Sequence, residues 1–220
     1  DACKELGKKE ILRMRERKEQ GYRYFVGVDP AISTDGDYNV IIVLEVDDKK
    51  NKRIVFVDRQ KNVEFRENIN KLKLIGKLFQ PECIYLETNT FAKSFTQELR
   101  DITDLNVRDF TTTRQKKQEI ILNLQMNIEN HKLIFPRGND ESRRVTDNIL
   151  DELSMFAITD SGKFEGVGAH DDLVMGLALA NAATHQDTDI FLLLDDLDIF
   201  GTSEPVKTDY RGGGVLGLNI

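Results

Sequence analysis

The segment YRYFVGVDPAISTDGDYNVIIVLEVDDKKNKRIVFVDRQ, residues 22–60, contains the strongest β-strand signals of the chain. It contains three apolar, β-branched segments at 22–29, 39–46 and 53–60, which are separated by turn-forming residues. Three strands that follow one another through short connections predict an antiparallel meander. The first of these segments is typical of a buried strand, and the second is strongly β-branched.

After residue 60 the apolar residues recur at helical spacing, and helical and extended segments then alternate. A strand that follows a crossover helix lies parallel to an earlier strand through a right-handed connection. The sequence therefore predicts an α/β fold with a mixed β-sheet, a three-strand antiparallel meander plus parallel strands, flanked by helices. The predicted helices are 63–79, 91–102, 114–131, 141–156 and 169–184; the predicted extended segments are 83–89, 105–113 and an edge segment at 133–136, with a hairpin about 160–163.

The composition narrows the classes of function. The chain has 220 residues, 40% of them apolar, and no run of the roughly 18 apolar residues that span a bilayer. It starts without the apolar core of a secretory signal. With two cysteines and three histidines a zinc site is not expected, whereas carboxylates are abundant. The net charge of −7 argues against a large basic surface for nucleic acid.

Acidic residues stand at three places where the predicted sheet would bring them together. Asp29 ends the first strand, Glu87 ends the strand after the first crossover helix, and Asp171 and Asp172 open the last helix. Ligand sites of α/β sheets lie at such strand ends. Clustered carboxylates repel one another unless a cation joins them, and Mg²⁺ prefers carboxylates plus waters. Two ions roughly 3.5–4 Å apart suit phosphoryl displacement.

Each of these acids also has an ordinary structural interpretation. Asp29 precedes a proline and fits a turn, Glu87 fits a solvated strand end, and the aspartate pair fits helix capping. The last helix favours the functional interpretation, because Asp172, Gly176, Ala180 and Ala183 share one face. Small residues there let the helix approach the sheet closely and bring its first residues to the strand ends.

Four segments in this order resemble the nuclease domain of the large terminase subunit of tailed bacteriophages, in the RNase H-like superfamily. They are FVGVDPAISTDGDYNVIIV, IYLETNTFAKSF, KKQEIILNLQMNIENHKLIFP and AHDDLVMGLALANAA, and the resemblance covers about residues 23–184. It implies an endonuclease that uses Mg²⁺ or Mn²⁺, as two ions, to cut concatemeric viral DNA during genome packaging. The implied metal ligands and catalytic residues are Asp29, Glu87 and the Asp171–Asp172 pair, with Asp171 favoured as the direct ligand and Asp172 nearby or acting through water.

The resemblance also implies a domain organisation and partners. Residues 1–20 are highly charged, which indicates a linker or an exposed helix and not part of the core, and the resemblance makes them the end of an interdomain linker. Residues 21–185 are expected to form the nuclease domain. Residues 186–220 are acidic and rich in Gly, Ser, Pro and Thr, which indicates a flexible tail. No G-x-x-x-x-G-K-[ST] phosphate loop is present, so the ATPase motor domain of the family is expected elsewhere in the full-length protein. The implied partners are double-stranded DNA, that motor domain, the portal protein and the small terminase subunit. No membrane is implied, and the expected location is the host cytoplasm, at the viral procapsid, without secretion.

Further polar residues near these segments have supporting roles as one interpretation and ordinary surface roles as the other. His170, Asn89, and Asp35 or Asp37 are predicted to contact water, phosphate or an outer ligand shell. Predicted contacts to DNA phosphates are Lys93, Arg114, Lys116 and Lys117. Two other functions fit the same sequence: a junction-resolving or transposase-like nuclease, and a non-catalytic docking module for the portal or another motor subunit.

Overall fold

A computed structural model describes residues 7–13, 18–30, 38–88, 92–158, 164–166 and 171–185. Its centre is a six-stranded sheet in the order β5-β4-β1-β2-β3-β6, beside a two-stranded hairpin of β7 and β8. The strands are β1 (Arg23–Asp29), β2 (Asn39–Val46), β3 (Lys52–Gln60), β4 (Cys83–Glu87), β5 (Val107–Phe110), β6 (Leu133–Ile134), β7 (Phe156–Ile158) and β8 (Phe164–Gly166).

The part of the chain that the structure describes also contains five α-helices and a short 3₁₀ turn at Gly7–Lys9. Among the helices described, none combines the length and apolarity needed to span a membrane. The helices are α1 (Phe65–Phe79), α2 (Ala92–Ile102), α3 (Arg114–Glu129), α4 (Asp140–Met155) and α5 (Asp172–Ala183).

The strand pairing confirms the predicted mixed sheet. β1, β2 and β3 form the antiparallel meander, and β4 pairs parallel to β1 and to β5. β6 pairs parallel to β3 at the edge of the sheet. Every residue of β2 is buried, in agreement with a strand whose two faces are both covered.

Helices cover the two faces of the sheet with separate apolar clusters. On one face, Ile69, Leu72 and Ile75 of α1 pack with Val26 and Ile41. On the other face, the apolar sides of α3, α4 and α5 form a second cluster that includes residues of β2 and β3. The odd and even residues of the central strands therefore contact different helices, as the alternation of side chains in a strand requires.

Close contact between α5 and β1 depends on glycine. A Cβ built on Gly27 would lie 2.2 Å from the carbonyl oxygen of Gly176 and 2.3 Å from the backbone nitrogen of Ala180. All twelve residues of α5 are buried. The predicted close approach of the small-residue helix is thus confirmed, and Gly27 is the residue of the sheet that permits it.

The N-terminal segment differs from what its charged composition predicts. Leu12 is 8% exposed and joins the core cluster that contains α3 and α5. Its N–H donates to the Ser142 hydroxyl, and the N–H of Arg13 donates to the carbonyl of Val55. Part of this segment is therefore attached to the domain, although its assignment as the end of a linker stays a prediction, as do the boundaries at 21–185 and 186–220.

Candidate functional site

Asp29 and Glu87 lie side by side at one edge of the sheet. They end the neighbouring parallel strands β1 and β4, each one residue beyond the last described pair, Val28 and Leu86. Their side chains are hydrogen-bonded to each other. Burial, followed by the charge and hydrogen bond of Glu87, raises the pKa of Asp29 well above its ordinary value of 3.8. Burial and the neighbouring carboxylates therefore favour the protonated form of Asp29 over its carboxylate.

The aspartate pair at the start of α5 lies within electrostatic range of these two residues. The charges of Asp172 and then of Asp171 add to the rise in the pKa of Asp29. Asp172 is 8% exposed, whereas Asp171 is only half-buried. The structure thus brings four carboxyl groups from three distant parts of the chain to one edge of the sheet, which is what the sequence predicts for them.

Asp171 makes a contact outside this group of carboxylates. Its Oδ2 lies 2.9 Å from Nζ of Lys117, near the start of α3. It stands at the N-cap position of α5, but its side chain makes no capping hydrogen bond. Capping by Asp171, one of the ordinary interpretations of this pair, is therefore wrong. Lys117, predicted as a phosphate contact, lies beside the carboxylates.

Glu152 of α4 supplies the hydrogen bonds that Asp171 does not. Its Oε2 accepts from the N–H of Leu173 at 2.9 Å, and its Oε1 lies 2.6 Å from Nη2 of Arg59. Burial raises its pKa, while the charge of Arg59 opposes that rise. Glu152 was not predicted from the sequence. The available signal was its position three residues after the apolar Ile149, which places this charge on the core-facing side of the helix.

The remaining predicted residues fall into two groups. Asp35, Asp37, Asn89 and His170 lie outside the described residues, and Lys93 is described only as part of α2. Arg114 and Lys116 are exposed in the first turn of α3, where Thr113 caps the helix by accepting from the N–H of Lys116. The Lys116 ammonium also lies 5.8 Å from the centre of the Phe110 ring. The two exposed cations therefore stand at the end of β5, on the same edge as the carboxylates.

The donor set at this edge suits a hard cation. It consists of carboxylate oxygens, the ligands that Mg²⁺ and Mn²⁺ prefer. Within the described ranges, no group of three or more His, Cys, Asp or Glu side chains forms a ready-made metal site. Two contacts, the Asp29–Glu87 hydrogen bond and the Asp171–Lys117 ion pair, use oxygens that a cation would need.

A family model described as the terminase RNaseH-like domain matches residues 26–183. The chain belongs to this family. The matched residues begin within β1 and end with α5, so they include all four carboxylates and every strand of the sheet except residues 23–25 of β1. No curated protein sequence matches the chain.

Solved structures of large terminases share the fold of this family member. The large terminase nuclease from the thermophilic phage G20c is 23% identical, with a TM-score of 0.62 over 82% of this chain and 97% of that chain. The large terminase of bacteriophage HK97 is 12% identical, with a TM-score of 0.53 over 81% of this chain and 42% of that chain. A mutant of the large terminase subunit of bacteriophage Sf6, solved with calcium, is 9% identical, with a TM-score of 0.57 over 82% and 94%.

Proposed function

We propose that this terminase-family domain is a DNA endonuclease that hydrolyses phosphodiester bonds with divalent cations. The observation that supports it is the meeting of Asp29, Glu87, Asp171 and Asp172 at the edge of an RNase H-like sheet. The related G20c nuclease has been solved with bound magnesium, cobalt and zinc. We propose Mg²⁺ or Mn²⁺, as two ions, for this chain.

The proposed ligands are Asp29, Glu87 and the aspartate pair. When bound, such cations lower the pKa of a water molecule and stabilise negative charge on the phosphate. The surroundings favour the protonated form of Asp29, whereas a bound cation would favour the carboxylate that acts as a ligand. Lys117 offers a positive charge to the phosphate once Asp171 turns away from it.

The choice between Asp171 and Asp172 as direct ligand has a structural argument on each side. Asp172 is the more buried of the two, and its charge has the larger effect on Asp29. Asp171, which the sequence favours, sits at the N-cap and has to leave Lys117. Comparison of Asp171→Asn with Asp172→Asn separates them, since the direct ligand should cause the larger fall in Mn²⁺ affinity.

The biological role that we propose follows from family membership. The domain would cut concatemeric viral DNA at the start and end of genome packaging, at the procapsid in the host cytoplasm. The chain spans 42% of the length of the HK97 large terminase, which leaves room for a further domain in a full-length protein. We propose an ATPase motor domain as that neighbour, and the portal protein, the small terminase subunit and double-stranded DNA as partners.

The test of the proposed activity is nicking of supercoiled plasmid in Mn²⁺ or Mg²⁺. Cutting should disappear in chelator and in the Asp29→Ala and Glu87→Ala variants. Asp48→Ala is the matched control, because it removes an exposed aspartate from the turn at the opposite end of the sheet. Cutting that survives both active-site substitutions would exclude this site. A strong preference for branched over linear DNA would instead indicate a junction-resolving nuclease.

A further inference from the structure

The start of α5 does not receive the cap that an aspartate at the N-cap usually gives. The first four N–H groups of a helix have no partner within it, and an N-cap side chain ordinarily accepts from the second or third helical residue. Asp171 makes no such hydrogen bond, because its carboxylate contacts Lys117 on α3. The N–H groups at the start of α5 therefore need another acceptor.

Glu152 on α4 is that acceptor. It accepts from the N–H of Leu173 at 2.9 Å, and the nearby N–H of Val174 also stabilises its charged form. Leu173 and Val174 are the second and third residues of α5, the positions that an N-cap side chain normally serves. The Glu152 side chain is only 7% exposed, and hydrogen bonds to a carboxylate are stronger than those between neutral groups.

Arg59 connects Glu152 to the part of the sheet that carries Asp29. Its guanidinium lies 2.6 Å from Glu152 and stacks 3.9 Å above the centre of the Tyr38 ring. In the sheet, Arg59 pairs with Val40, and Val40 pairs with Asp29. The start of α5 is thus connected to the end of β1 through the Glu152–Arg59 ion pair and through the strand pairing of Arg59, Val40 and Asp29.

We propose that Glu152 is a positioning residue for the carboxylate site, a role that rests on the proposed function of that site. By capping α5 from α4, it holds the start of this helix, and with it the aspartate pair, beside Asp29. Groups that orient metal ligands typically contribute about 10–100-fold to metal affinity or activity. We therefore expect Glu152→Ala to weaken Mn²⁺ binding and to raise the Mn²⁺ concentration for half-maximal cutting by about this factor.

Three variants test the proposal. Glu152→Ala removes the acceptor, Glu152→Gln keeps an acceptor oxygen on a side chain of the same length, and Asp151→Ala removes an equal charge from the exposed neighbouring position on α4. For each, Mn²⁺ affinity is measured by calorimetry without DNA, nicking is measured against Mn²⁺ concentration, and exchange of the Leu173 and Val174 amide protons is followed by NMR. Glu152→Ala should show faster exchange and weaker Mn²⁺ binding, Glu152→Gln should restore most of both, and Asp151→Ala should match wild type.

The outcomes separate positioning from stability alone. Faster amide exchange in Glu152→Ala with wild-type Mn²⁺ affinity and cutting would overturn the positioning role, as would an equal loss in Asp151→Ala. If Glu152→Ala does not fold, Glu152→Asp takes its place, because its shorter side chain withdraws the carboxylate from the Leu173 N–H. A several-fold loss of Mn²⁺ affinity is then expected, and wild-type affinity overturns the proposal. If the Glu152 variants keep wild-type Mn²⁺ affinity and cutting while Asp29→Ala loses both, only the role of Glu152 is rejected. If Asp29→Ala also keeps wild-type Mn²⁺ affinity and cutting, the proposed function itself is rejected.

Discussion

Gly27 is the position where one methyl group should disturb both the packing and the site. It lies on β1 beneath α5, and a Cβ there would lie 2.2 Å from the carbonyl oxygen of Gly176. Ordinary van der Waals contact begins at 3.4 Å, so the difference of about 1.2 Å must come from movement of the helix. Rotation of a side chain does not relieve the clash, because both close contacts, to Gly176 and Ala180, are with backbone atoms.

The cost of Gly27→Ala follows from that movement. Overpacking a close-packed core typically costs ~1–3 kcal/mol, and the complete burial of α5 favours the upper end. For a domain of this size ~3 kcal/mol corresponds to a fall in Tm of roughly 6–12 °C. Since Asp172 moves with α5 relative to Asp29, we also expect about a 100-fold loss of cutting, the effect of a ~1 Å misplacement.

Thermal unfolding followed by circular dichroism and plasmid nicking check this prediction. Gly76→Ala on α1 is the matched control, because its Cβ would meet only the end of the flexible Leu105 side chain, at 2.7 Å. The control should melt near the wild-type temperature, since alanine favours a helix over glycine by roughly 0.8–1 kcal/mol. A Gly27→Ala protein that melts and cuts like wild type would show that α5 does not need a glycine beneath it.

Three further predictions concern buried polar groups. Because the pKa of Asp29 is raised in the folded protein, the unfolded chain loses this proton first, and the free energy of unfolding should fall as the pH rises above 3.8. Asp29→Asn should remove this fall and be more stable than wild type in urea denaturation at pH 7. Equal or lower stability of the variant would contradict this. Burial lowers the pKa of Lys52 from 10.5 to about 8, so the unfolded chain binds more protons between these values. Stability should therefore rise from pH 8 to 10.5, and Lys52→Met should abolish the rise in the same assay; a rise that persists in the variant contradicts the assignment. Tyr24→Phe removes a hydroxyl that donates to the buried Glu45 at 2.5 Å, and it should lower the free energy of unfolding by ~1–3 kcal/mol. An unchanged urea midpoint would be inconsistent with that hydrogen bond.

Local sequence patterns were enough to predict the sheet. The apolar run at 39–46 coincides with β2 because a strand covered on both faces needs apolar residues throughout. The period of α1 predicted its buried side, since Ile69, Leu72 and Ile75 all contact the sheet cluster. Errors at element ends were small, such as a fourth strand that stops at Glu87 instead of residue 89.

The acids of the site were predictable, but their surroundings were not. Asp29 and Glu87 follow from the ends of apolar strands, which a parallel pair places at one edge. The contacts of Lys117 and Glu152 depend on how α3 and α4 pack against the start of α5, and no local pattern specifies that packing. Nothing in the strand pattern indicated a special role for Gly27. Only the contact with α5 explains why a residue without a side chain is needed there.

The N-terminal segment shows why charge alone does not predict exposure. Its many charged residues indicated a solvated linker, yet Arg13 pairs with Glu45, whose side chain is fully buried, and Glu10 pairs with Arg53. Lys and Arg side chains can cover a core while their charges are neutralised by partners elsewhere in the sequence. Because those partners lie on β2 and β3, composition within the segment did not reveal them.

A crystal structure of the protein soaked in Mn²⁺, with an anomalous difference map, would show whether the four acids bind cations together. We expect Mn²⁺ peaks within a coordination distance of about 2.1–2.3 Å from carboxylate oxygens of Asp29 and Glu87, with a carboxylate of the Asp171–Asp172 pair at the same site. Peaks found only elsewhere, with the Asp29–Glu87 hydrogen bond intact at saturating Mn²⁺, would contradict it.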